Sequence, residues 1–166
     1  SVTINSGTLI LKLSDAADDY VIADAVRIEL PTPLGPDLTP PAANLSNPAD
    51  GDTIDLSELN ARRYLEVNFF DFGDGLDTSS IDGDELKLDG TGAAGVTLSG
   101  APTVVSGTTT YRYEFTGDFV EGDVDVTFEE NSFADLANPA NENIAVTETF
   151  TVTNPPPPPF SQIIDD

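Results

Sequence analysis

Apolar side chains recur at every second position along much of this chain, the period of a strand with one buried face. Leu9, Leu11 and Leu13 share one face of a first strand, and Ile22, Val26, Ile28 and Leu30 share one face of a second. The acidic stretch Asp15-Ala-Ala-Asp18-Asp19 between them reads as a turn. Two strands are marginal alone in water, so residues 1–30 are expected to be part of another β domain or to complete one.

Proline then interrupts the pattern. Pro31, Pro33, Pro36, Pro40 and Pro41 exclude helix and central strand, and residues 31–43 read as a stiff linker. From about residue 44 to residue 153 short alternating runs follow one another. Leu65, Val67 and Phe69 point one way within Tyr64–Phe70. Leu86 and Leu88, Val96 and Leu98, and Val104-Val105 come next. Tyr111, Tyr113 and Phe115 share a parity, as do Val124, Val126 and Phe128. In the last run Ile144, Val146, Phe150 and Val152 share a parity that Glu148 also occupies, which predicts a bulge or a switch of sheet there. Helical periodicity is nearly absent. About seven strands punctuated by Gly, Asp, Asn and Ser predict an all-β fold, a Greek-key β-sandwich over 44–153. Residues 154–166 read as a polyproline linker and tail. Pro155–Pro159 favour a polyproline II rod of about 15 Å, and Phe160, Ile163 and Ile164 follow as a short apolar stretch.

Composition narrows the chemistry. The 166 residues include no Cys, His, Met or Trp. Disulfides, thiolates and the usual neutral-pH general base are therefore missing, and oxygen ligands suited to Ca²⁺ remain. Thirty acidic and six basic residues give a net charge of −24, which repels nucleic acid and anionic lipid. No apolar run approaches the roughly 18 residues of a membrane-spanning helix, and no basic-then-apolar stretch opens the chain. It is expected to be a segment of a longer secreted protein. No nucleophile stands beside a base, so the chain is expected not to be an enzyme.

The densest carboxylate cluster is Asp71-Phe-Gly-Asp74-Gly-Leu-Asp77 followed by Asp82-Gly-Asp84. Two readings stand for Asp71, Asp74, Asp77, Asp82 and Asp84: a solvated loop, or a Ca²⁺ site in which a cation relieves like-charge repulsion. Asp123 and Asp125 share a strand face, where a solvated surface is expected rather than paired acid–base chemistry. Asp24 beside Arg27 is expected to make structural hydrogen bonds. Tyr111 and Tyr113 are expected in the core rather than on a sugar-stacking platform. Asn44-Leu-Ser46 is a glycosylation sequon.

Several blocks carry a resemblance. Tyr64-Leu-Glu-Val-Asn-Phe-Phe-Asp71 with Leu76-Asp-Thr-Ser-Ser-Ile81-Asp-Gly-Asp-Glu-Leu86, and Tyr111-Arg-Tyr-Glu-Phe-Thr-Gly117 with Asp123-Val-Asp-Val-Thr-Phe128, resemble a bacterial Ig-like repeat over about residues 44–153. Asp135-Leu-Ala-Asn138-Pro139 replaces the Asp-x-Ala-Gly-Asn turn with which that family often closes. Gly7-Thr-Leu and Tyr20-Val-Ile-Ala-Asp-Ala-Val-Arg-Ile-Glu29 resemble the closing strands of a golvesin/xanthan-lyase C-terminal-like domain. The resemblances imply an Ig-like structural module on a bacterial cell surface, in a fibre, surface layer or large adhesin. Its partners would be neighbouring copies or domains of the same surface protein, joined by strand complementation. The alternative is a carbohydrate-binding or adhesion module of a secreted multidomain hydrolase, with a polysaccharide as partner.

Overall fold

A computed structural model describes residues 35–154. The strand segment 1–30 and the polyproline run with its tail lie outside the described residues. Among the described residues nine strands form: β1 (Ala42–Asn47), β2 (Thr53–Asp55), β3 (Tyr64–Phe70), β4 (Leu86–Asp89), β5 (Thr97–Leu98), β6 (Thr103–Val104), β7 (Thr110–Thr116), β8 (Gly122–Phe128) and β9 (Val146–Thr153). One helix, α1 (Leu56–Arg62), links β2 to β3. The first sheet runs β1-β3-β7-β5 with β6 also on β7, and the second runs β2-β9-β8-β4. The expected all-β sandwich therefore forms.

Alternation decides which side chains meet between the sheets. Leu65, Val67 and Phe69 of β3, Tyr111, Tyr113 and Phe115 of β7, Val124, Val126 and Phe128 of β8, and Phe150 and Val152 of β9 are all buried. Each such side chain contributes roughly 1.5–3 kcal/mol of transfer free energy. Phe133, from the long β8–β9 connection, packs edge-on against Phe69 with ring centroids 4.9 Å apart, and this ties the connection to the core.

Three expectations need correction. The sandwich begins before residue 44: β1 starts at Ala42 and Pro41 is buried, so this end of the proline-rich segment belongs to the fold. No bulge or sheet switch occurs at Glu148, because the β8–β9 register runs unbroken from Gly122↔Val152 to Phe128↔Val146. The irregularity lies in β1, between Leu45 and Asn47. Glu148 keeps the apolar parity because it accepts the Leu45 backbone N–H at 2.6 Å. A carboxylate thus satisfies an edge-strand donor that no neighbouring strand reaches. The third correction is α1 itself. Asp55 caps it by accepting the Ser57 and Glu58 backbone N–H groups at 2.7 and 3.3 Å. Arg63 stops it in a left-handed conformation at φ 62°, its N–H bonded to the Leu59 carbonyl.

The two outermost elements run in the same direction. Leu45 meets Glu148, Gly51 N–H bonds to the Thr149 carbonyl, and β2 then lies parallel to β9 with Thr53 opposite Thr151. Ala42 of β1 stands at the same end as Val146, which opens β9. The chain therefore arrives at one end of the sandwich, here the proximal end, and leaves at the other, the distal end. The eight residues of β9 place these ends about 25 Å apart.

Candidate metal centre

The proximal end gathers three carboxylates from three distant stretches of chain. Asp71 follows the last residue of β3. Asp37 precedes β1. Asp135 sits in the β8–β9 connection, held by an isolated bridge to Leu76 and by the Leu136 N–H bond to the Gly75 carbonyl at 2.7 Å. Carboxylate oxygens of Asp37, Asp71 and Asp135 all lie within 4.8 Å of one another. Asp135 is 2% exposed.

Local donors fix each group. Asp71 Oδ2 accepts the Gly73 and Gly75 backbone N–H groups, both at 2.8 Å. Asp37 Oδ1 accepts the Thr39 N–H at 2.9 Å and its Oδ2 accepts the Asp74 N–H at 2.8 Å. Asp135 Oδ1 accepts the Ala137 and Asn141 N–H groups, and its Oδ2 accepts the Asn141 side-chain amide at 2.7 Å. That amide also donates to the Asp37 backbone carbonyl at 3.1 Å. Gly73 leaves room for the close approach, since a Cβ there would meet the Asp37 carboxylate and make it shift.

These bonds favour the charged forms of Asp37 and Asp135. The Thr39 and Asp74 N–H groups hold the Asp37 carboxyl below its ordinary value of 3.8. Burial pushes Asp135 up, but the Asn141 amide and the backbone donors outweigh it and leave that carboxyl low as well. One oxygen has no donor among the described residues: Asp71 Oδ1 is buried and lacks a hydrogen-bond partner there. The ion pairs of the described residues, Arg63–Asp118, Lys87–Asp89 and Arg112–Glu66, lie elsewhere. Two oxygens 4.8 Å apart can both bind one Ca²⁺ midway between them, at the usual distance of about 2.4 Å.

The five residues expected to act together are divided. Asp71 joins the trio. Asp74 contributes its backbone N–H and keeps an exposed side chain. Asp77 caps the 3₁₀ turn Thr78–Ser80 through the Ser79 N–H and hydroxyl. Asp82 and Asp84 stand exposed beside Glu85, forming a second acidic group. Glu85 is fully buried, and its carboxylate accepts the Asp82 N–H, the Gly83 N–H and the Tyr113 hydroxyl, the last at 2.7 Å.

Sequence reasoning did not place Asp37 and Asp135 beside Asp71. The altered turn at Asp135 was a usable signal, whereas Asp37 carried none beyond an acid among prolines. Asp123 and Asp125 face outward and accept the Thr151 and Thr149 hydroxyls. Tyr111 and Tyr113 are buried in the core. Asn44 and Ser46 are exposed on β1, and Asp24 and Arg27 lie outside the described residues. Among the described residues no helix is long and apolar enough to cross a membrane. Comparisons with protein-family models, with curated proteins and with solved structures yield no match.

Proposed function

We propose that this chain is a structural spacer of an extracellular surface assembly, a rigid bead set in line with neighbouring modules and stiffened by Ca²⁺ at its proximal end. The observation that carries this reading is the placement of arrival and departure at opposite ends of one sandwich. Tension applied along the chain then pulls β1 along β3 and β9 along β8, so their paired residues are loaded together rather than one at a time. A cation held by Asp37, Asp71 and Asp135 adds to this, because Asp37 precedes β1 and the ion would pin the incoming segment to the loops that follow β3 and β8. Shape and resistance are the activity, and no catalytic step is needed. The Asp123 and Asp125 carboxylates support this view, since they lie on an open sheet face and not across a cleft. A sugar-binding role would need an exposed aromatic platform, and Phe72 is the one aromatic classed as exposed among the described residues.

Single-molecule pulling tests the reading. Handles at the two chain ends should require a clearly higher unfolding force than handles at the N-terminus and at Ala145→Cys, which bear on the same end of the sandwich and peel it open. Equal forces in the two geometries would remove the mechanical argument.

A further inference from the structure

The proximal end is unusual in a second way. Of the seven large apolar side chains exposed among the described residues, Leu38, Phe72, Leu136, Ile144 and Val146 gather there. Ile144 and Val146, 64% and 44% exposed, form one wall of a notch of about 170 Å³ that opens between the sheets. Pro40 and Ala43 also line it, together with the buried Phe128 and Phe133. Apolar side chains grouped in water mark a contact surface.

Among the described residues the backbone beside the notch is also uncovered. The Thr149 and Thr151 N–H groups point away from β8, toward Asp50 and Asp52. Strand alternation directs the Thr147 N–H to the same side, but β2 pairs only with Thr151–Thr153 and stops short of it. An extended segment entering the notch would find apolar walls and a free strand edge together, the two components of strand addition.

The chain itself carries a segment of matching chemistry. Beyond Asn154 come Pro155–Pro159 and then Phe160-Ser-Gln-Ile163-Ile164. Asn154, the last described residue, lies at the distal end, about 25 Å from the notch along β9, and five prolines separate it in sequence from the apolar residues. The apolar stretch therefore departs from the end opposite to this chain's own notch, and a second copy can offer it one. We propose that the notch lined by Ile144, Val146 and Pro40 receives the Phe160–Ile164 segment of a second copy of this chain. The contact is heterologous, and repeated it generates an open filament instead of a closed dimer. This inference rests on the in-line reading above and names the joint between beads. Asp165 and Asp166 of the arriving segment would approach the proximal carboxylates, so Ca²⁺ should favour the joint by offsetting their repulsion.

Sedimentation velocity of the full chain in Ca²⁺, up to about 1 mM, the edge of weak association, tests this. Wild type should form a concentration-dependent series of oligomers. The triple variant Phe160→Ser, Ile163→Ser, Ile164→Ser should be monomeric, and so should Ile144→Asp, whose exposed position tolerates the change. Mixing the two variants should give a 1:1 dimer that grows no further, because one chain offers only a notch and the other only a tail. A wild type that stays monomeric overturns the proposal. So does a tail variant that associates like wild type, which would point to residues 1–30 or another surface as the joint, or a mixture that gives no dimer. The pulling experiment is independent of association, so failure of the joint and failure of the spacer reading are separable.

Discussion

Two acidic groups sit in the same sandwich, the Asp82–Asp84–Glu85 group beside β4 and the Asp37–Asp71–Asp135 group at the proximal end, and both include a buried carboxylate. In the first, the protein supplies the donors itself. Glu85 receives two backbone N–H groups from the loop before it and a hydroxyl from Tyr113 across the core. The Tyr113 phenol is pushed well up, by burial first and by its bond to Glu85 second, so it stays a donor throughout the physiological range. In the second, donors reach five of the six oxygens, and Asp71 Oδ1 is left buried and bare. The difference teaches how to separate a structural acid from a candidate ligand. Each places a carboxylate oxygen out of water beside other acids, but the fold supplies hydrogen-bond donors to Glu85 and leaves Asp71 Oδ1 without one, which makes Asp71 the candidate ligand.

Breaking the self-contained group should cost most. Glu85→Leu strands the Asp82 and Gly83 N–H groups and the Tyr113 hydroxyl inside the protein, at a cost of about 3–5 kcal/mol in urea unfolding, the same with Ca²⁺ as with chelator. Tyr113→Phe, which removes one donor and keeps the ring, should cost less, about 1–2 kcal/mol. A cation-dependent loss in either variant would mean that Glu85, not Asp71, faces the ion.

The proximal group should show the opposite dependence. Saturating Ca²⁺ at about a hundred times its Kd should raise wild-type stability by about 2.7 kcal/mol, read as a higher urea midpoint or Tm. Asp71→Asn and Asp135→Asn should abolish that rise. With chelator, Asp71→Asn should equal or exceed wild type, because it removes like-charge repulsion while an amide oxygen still accepts the Gly73 and Gly75 N–H groups. A variant that is equally destabilised under both conditions would make Asp71 an ordinary structural acid and end the case for a metal.

This contrast also explains what the sequence could disclose. Strands β3, β7 and β8 were legible because burial on one face writes a two-residue period directly into the chain, and Leu65-x-Val67-x-Phe69 has no other economical use. Helix α1 was not, because a seven-residue helix with one buried leucine, Leu59, carries too little period to register. Its signal was the cap, Asp55 with Glu58 three residues on. The metal candidate was half legible. Density of acids along the chain located Asp71, but coordination is a property of space, and residues 37 and 135 reach it only through the pairing of β1 and of Leu76 with Asp135. Counting neighbours in sequence instead joined Asp71 to Asp77, Asp82 and Asp84, which turned out to be a cap and the rim of a different group.

Glu148 gives the smallest and most discriminating test, since it lies between the two extremes. It is half-buried, accepts one backbone N–H, and faces Asp50. Burial pushes its carboxyl above the ordinary 4.5, the Leu45 N–H pulls it down less, and Asp50 adds to the rise. A carboxyl raised by folding binds its proton more tightly in the native state, so its contribution to stability falls as pH climbs from 4.5 through the raised value. Glu148→Gln keeps an acceptor for Leu45 and loses the charge. It should therefore match wild type at pH 3 and exceed it at pH 7, by less than about 1 kcal/mol because water screens a half-exposed group. Urea midpoints at the two pH values measure the difference. If Glu148→Gln is instead weaker than wild type at pH 7, the ionised carboxylate is a net asset to the β1 edge, and Glu148 belongs with Glu85 as an acid the fold has fully answered.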